Sequence, residues 1–143
     1  MDMLLAMLLA MLTGSAIITD CARGRIYNVL VFPAILSGIV LRAAAGPIRS
    51  LPGILLEVFL PFFLLFPFWR YFRRGICAGD IKLLMGAAAL TSPRVLARLC
   101  AAAFFAAGAM SVLRLIESRG QERTIPFAVP VGFATALYLG GFL

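Results

Sequence analysis

The chain has 143 residues, 63% of them hydrophobic and 13% charged, and its mean hydropathy is +1.04. Soluble domains carry roughly 45–50% apolar and about 25% charged residues, so this composition excludes a water-soluble globule and leaves the question of how often the chain crosses a bilayer. The net charge of +7 would indicate nucleic acid in a soluble protein, but every basic stretch here adjoins an apolar run, which marks membrane loops and excludes a nucleic-acid partner.

A helix needs about 20 apolar residues to cross the hydrocarbon core, and six apolar runs are found in chain order. The first covers about residues 3–19; it has Asp2 where a signal peptide would carry Lys or Arg, and reads as a retained span. The second covers about residues 28–45, with Asn28 placed to cap its first turn. The third covers about residues 51–69, ending at Trp69 and Tyr71, which suit an interfacial aromatic belt. The fourth, about residues 81–91, is short and suits either a helix enclosed by its neighbours or one whose preceding loop dips into the membrane. The fifth, about residues 95–116, is rich in Ala and Gly and favours close helix contacts. The sixth covers about residues 125–143, with Pro126 and Pro130 near its start. The expected fold is all-α: a polytopic membrane protein of about six transmembrane helices in one domain, residues 1–143.

Loop charge sets the expected orientation. Loops one, three and five hold nine basic residues: Arg23 and Arg25; Arg70, Arg73, Arg74 and Lys82; and Arg114, Arg119 and Arg123. Loops two and four hold four, Arg42, Arg49, Arg94 and Arg98. The positive-inside rule then puts the odd loops in the cytoplasm and both termini outside.

Histidine is absent, which removes Ser–His and Cys–His catalysis and the His-based zinc motifs. Proton transfer would fall to carboxylates, Lys, Tyr or Cys. Of the six carboxylates, Asp2 is terminal, and Glu117 and Glu122 lie in a polar loop beside Arg114, Arg119 and Arg123. Glu57 falls inside the third span, near its outer end, where a snorkelling role or a helix–helix hydrogen bond is expected.

Asp20 and Asp80 stand apart. One closes the first span and the other opens the fourth, so the loop map sets both at one depth near the cytoplasmic interface. Two carboxylates held close share one proton, because like charges a few Å apart do not both ionise cheaply. The ionised partner then serves as base toward a water, and the protonated partner polarises a carbonyl and donates to the leaving amine. Gly79, lacking a Cβ, would permit close substrate approach and unusual backbone angles at a helix start. Lys82 would neutralise the pair, steer a substrate or snorkel. Asp20 and Asp80 also suit plain helix capping or pairing with a nearby Arg.

The segment Cys77-Ala78-Gly79-Asp80-Ile81-Lys82-Leu83-Leu84 resembles the GxGDxKL signature of type IV prepilin peptidases, membrane aspartic proteases. Upstream, Asp20-Cys21-Ala22-Arg23-Gly24-Arg25-Ile26-Tyr27-Asn28 is similar to that family's first aspartate segment, an Asp followed some six residues later by Ile-Pro-Asn. Ile125-Pro126-Phe127 resembles an Ile-Pro-Phe near the start of the family's last helix. Cys77 stands where a glycine is usual and Tyr27 where a proline is; both Asp positions are kept.

The resemblance implies an endopeptidase that removes the basic leader of type IV, Flp-like prepilins after a glycine, at the cytoplasmic face of the inner membrane. Asp20 and Asp80 would be catalytic, with Gly79, Lys82, Asn28, Arg25 and Cys77 in support. The chain lacks the cysteine-bearing insert associated with N-methylation in longer members, so peptidase activity without methylation is expected. The expected partners are prepilins or pseudopilins and the lipid bilayer.

Other readings stay open on the residues alone. A proton-coupled transporter subunit would use the two Asp as relay sites, and a pilus-assembly homologue would keep the fold without activity. A cluster of Asp20, Cys21, Cys77 and Asp80 is conceivable as a metal site, but its spacing matches no thiolate site. No metal or other cofactor is expected, and Cys21 and Cys77 read as small packing residues.

Overall fold

The computed structural model describes residues 2–46, 51–71, 77–117 and 126–142. Six helices run through them: α1 (Asp2–Arg23), α2 (Asn28–Ala45), α3 (Leu51–Tyr71), α4 (Ala78–Leu90), α5 (Pro93–Glu117) and α6 (Ala128–Leu139). No strand occurs among the described residues. Long apolar runs bury their backbone polar groups most simply within a helix, and the few hydroxyls inside these runs follow suit: Thr13 donates to the Leu9 carbonyl and Thr135 to that of Val131, each at 2.9 Å.

Helices α1, α2, α3 and α5 are long and apolar enough to cross a bilayer. Helix α4 has 13 residues, about 20 Å at the usual rise, which falls short of a hydrocarbon core of about 30 Å. Helix α6, with 12, is shorter still. The short α4 is enclosed by its neighbours, one of the two arrangements its length suits. It packs against α1, α2, α3 and α5, and Ile81, Leu83, Leu84 and the run from Gly86 to Leu90 are buried. Helix α1 also packs on α2 and α6, and α6 on α5, so the outer helices follow one another around α4. Leu9, Val31, Leu83, Leu84, Leu99 and Val131 fill the core with almost no exposure. The outer surface of α3 shows the opposite pattern, with Leu56, Phe63 and Leu64 about two-thirds exposed, as lipid-facing residues are. Trp69 and Tyr71 close that helix, both exposed.

Helix α1 runs one turn beyond the end expected at residue 19, so Asp20 lies in its last turn rather than past it. Nothing in Cys21-Ala22-Arg23 breaks a helix; Gly24 does. Its φ of 61° is left-handed, and its N–H donates to the Asp20 carbonyl at 2.8 Å. Helices end this way at glycine because a Cβ there would be strained.

The approach of α2 to α4 depends on Gly38. A Cβ built on it would lie 2.6 Å from the Ala89 carbonyl oxygen and 2.9 Å from the Ala89 Cβ. Backbone cannot swing aside as a side chain does, so Gly38→Ala must push the helices apart. It is expected to cost about 1–3 kcal/mol, read as a lowered Tm in detergent.

At the C-terminal end of α4, Arg42 in the last turn of α2 pairs with Glu57 of α3 and donates a second hydrogen bond to the Ala88 carbonyl at 3.2 Å. Glu57 thus makes the helix–helix bond expected of it. Arg42 is corrected: it is a helical residue tying α2, α3 and α4, not a loop charge. Arg49, Arg73, Arg74, Arg119, Arg123, Glu122 and Ile125 lie outside the described residues.

Candidate functional site

The first half of the site is built by the turn between α1 and α2. Gly24 stops α1, and the chain passes through Arg25, Ile26 and Tyr27 before α2 begins. Tyr27 has φ −79° and ψ 134°, angles a proline also adopts, so tyrosine holds the same path without strain. Its hydroxyl accepts a hydrogen bond from Arg23 at 2.6 Å, which ties the end of α1 to the start of α2. Asn28 does not cap α2: Tyr27 holds the N-cap position and Asn28 is the first helical residue. Its Oδ1 instead accepts a bond from Lys82 Nζ of α4 at 2.9 Å. A partner 54 positions away is within reach because α4 lies directly against α2.

The second half is the start of α4. Cys77 precedes the helix at φ −88° and ψ 152°, extended backbone open to any L residue, so cysteine replaces the usual glycine at no conformational cost. The Cys77 N–H donates to Asp80 Oδ2 at 2.8 Å, fixing the carboxylate in the first helical turn. Gly79 does not take a left-handed φ, contrary to expectation. A Cβ there would meet Ile26 Cβ at 3.4 Å, an ordinary contact, so the α1–α2 turn does not itself demand a glycine.

The two halves enclose an open cavity of about 760 Å³ lined by Asp20, Cys21, Gly24, Arg25, Ile26, Asn28, Cys77, Gly79, Asp80 and Lys82, with Arg114 of α5 and Pro126 and Phe127 ahead of α6. Every site residue singled out from the sequence lines this one cavity. Asp20 and Asp80 come from different helices and act on each other electrostatically. Asp80 lies outside the four candidate spans, and its carboxyl is pushed up to about 6. Burial is the main cause; the Cys77 N–H opposes it, and the charge of Asp20 adds to it.

Asp20 is half-buried, and its Oδ2 accepts the backbone N–H of Ala128 at 3.1 Å. Each acid therefore has one oxygen on a backbone N–H at a helix start and, among the described residues, no hydrogen bond to the other. No fully buried side-chain oxygen or nitrogen among the described residues lacks a partner, so the free oxygens keep accessible surface.

Cys21 and Cys77 are both exposed at the cavity, which corrects their reading as packing residues. The Cys77 thiol is pushed up by loss of water around it and then by the charges of Asp80 and Asp20, so it stays protonated and is a poor nucleophile. No group of His, Cys, Asp and Glu among the described residues is arranged to hold a metal ion.

Sequence reasoning missed Arg114 and the start of α6. Arg114 was counted only for orientation, though its place at the end of the fifth span put it at the depth of the two acids. The signal for α6 was present as Pro126-Phe127, read as a likeness with no role attached.

A multi-pass helical membrane protein with a cavity around two carboxylates from separate helices is the class that this fold and site define. The chain belongs to the type IV leader peptidase family, whose model matches residues 3–112. That stretch includes Asp20 and Asp80 and ends before α6. No curated protein and no solved structure matches the chain significantly.

Proposed function

We propose that the protein is a membrane aspartic endopeptidase that removes the leader of type IV, Flp-like prepilins after a glycine, at the cytoplasmic face of the inner membrane. The observation that carries this reading is the pairing of Asp20 and Asp80 across one cavity in a chain of the leader peptidase family. Asp80, the more buried acid with its carboxyl raised to about 6, holds the proton. Asp20, with Oδ1 free among the described residues, is the base.

The reaction then needs nothing beyond water. Asp20 takes a proton from the water as its oxygen adds to the scissile carbonyl, while Asp80 hands its proton to the carbonyl oxygen. In the collapse of this tetrahedral adduct Asp20 returns its proton to the leaving amine, and Asp80 recovers one from the adduct's hydroxyl. Products are one carboxyl and one amino terminus, with the dyad restored.

Arg25, Lys82 and Arg114 at the cavity give a cationic leader nothing to bind. Substrate hold is assigned to its apolar helix packing among the spans, with peptidase activity alone and no methylation. Co-expression with a prepilin carrying a basic leader, a glycine and an apolar helix tests the whole reading. The pilin should shorten by its leader, with a new amino terminus after the glycine. An unprocessed pilin beside a folded, membrane-inserted protein would overturn it, and proton flux without cleavage would favour the relay reading.

A further inference from the structure

The bond from Ala128 to Asp20 joins residues 108 positions apart, and its donor lies beyond the stretch matched to the family. Asp20 is in the last turn of α1. The start of α6 meets it with first-turn N–H groups that have no partner within their own helix. Two features equip this turn for the task. Pro126 has no N–H to offer, while its carbonyl accepts the N–H of Val129 at 3.2 Å. Ala128 is fully buried, so water cannot serve its N–H, and Asp20 does.

We propose that the first turn of α6 is a positioning element for Asp20, holding Oδ2 through the Ala128 N–H and leaving Oδ1 to receive a proton from water. The turnover part of this inference rests on the peptidase reading above; the geometric part does not.

Two measurements test it. Replacing Ala128 by its α-hydroxy acid analogue turns one amide into an ester, deleting the N–H and keeping the side chain. The same replacement at Val129 deletes a neighbouring N–H that, among the described residues, bonds the Pro126 carbonyl and not Asp20. Both should lower Tm alike, but kcat should fall about 10- to 100-fold at Ala128 alone, with KM unchanged. A kcat unaffected at Ala128, or lowered equally by both esters, would overturn the inference.

The second measurement needs no turnover. Exchange of the Ala128 amide proton, referenced to Val131 in the same helix, should be slow in the wild type and in Asp20→Asn, which keeps an acceptor. It should be at least about tenfold faster in Asp20→Ala. Equal exchange in all three would refute the contact. If the wild type cleaves no prepilin, the peptidase reading fails on its own and the exchange result still decides this inference.

Discussion

Asp20→Asn and Asp80→Asn are each expected to lower kcat/KM for prepilin cleavage by at least about 10³-fold, with both proteins still folded in the membrane. The reason is that an amide keeps the shape and one acceptor of a carboxylate. Its oxygen can still take the Ala128 N–H at position 20 or the Cys77 N–H at position 80, so the backbone anchors survive. What disappears is the base in one variant and the movable proton in the other. Because the acids work as a unit, the double variant should be scarcely worse than either single one. The measurement is single-turnover cleavage of a purified prepilin in detergent, with Tm recorded alongside. Processing at the wild-type rate by either variant would rule out a shared-proton mechanism.

The order of helices was readable because hydrophobic run length is a local property. Residues 28–45 were bounded correctly, with a basic turn before them and Gly46-Pro47 after. The end of α1 was set a turn early because Asp20 was taken as a boundary, whereas the residue with the power to stop the helix was Gly24. That Asp20 and Asp80 line one cavity was legible through chain order: one acid ends the first apolar run and the other opens the fourth.

Hydrogen-bond partners were not legible. Asn28 has a cap position beside it in sequence, yet it bonds Lys82, because α4 is pressed against α2 where Gly38 lets the backbones meet. Arg42 counted as a loop charge until Glu57 of the next helix was found against it. The Asp20–Ala128 bond depends on how α6 closes against α1, and no spacing rule reaches across 108 residues. Cys21 and Cys77 were judged by residue type, which favours burial, while their place at a cavity rim was a property of the assembled turns.

The pH dependence should have a definite sign. With the Asp80 carboxyl raised from 3.8 to about 6, the proton it must donate is lost as pH rises, so kcat/KM should fall tenfold per unit above about pH 6. The same shift predicts a stability effect. Between the two values the folded protein keeps a proton that the unfolded chain has released, so stability declines as pH rises through that window and levels off above it. The full loss is about 3 kcal/mol, since Asp80 is only 9% exposed. Asp80→Asn carries no charge to bury. It should therefore melt several degrees above the wild type at about pH 8 and level with it below about pH 4, although it cleaves nothing. A wild type whose Tm stays constant across that range, or an alkaline limb that ignores the region around pH 6, would show that burial does not hold the proton on Asp80. The dyad would then need Asp20 as its acid.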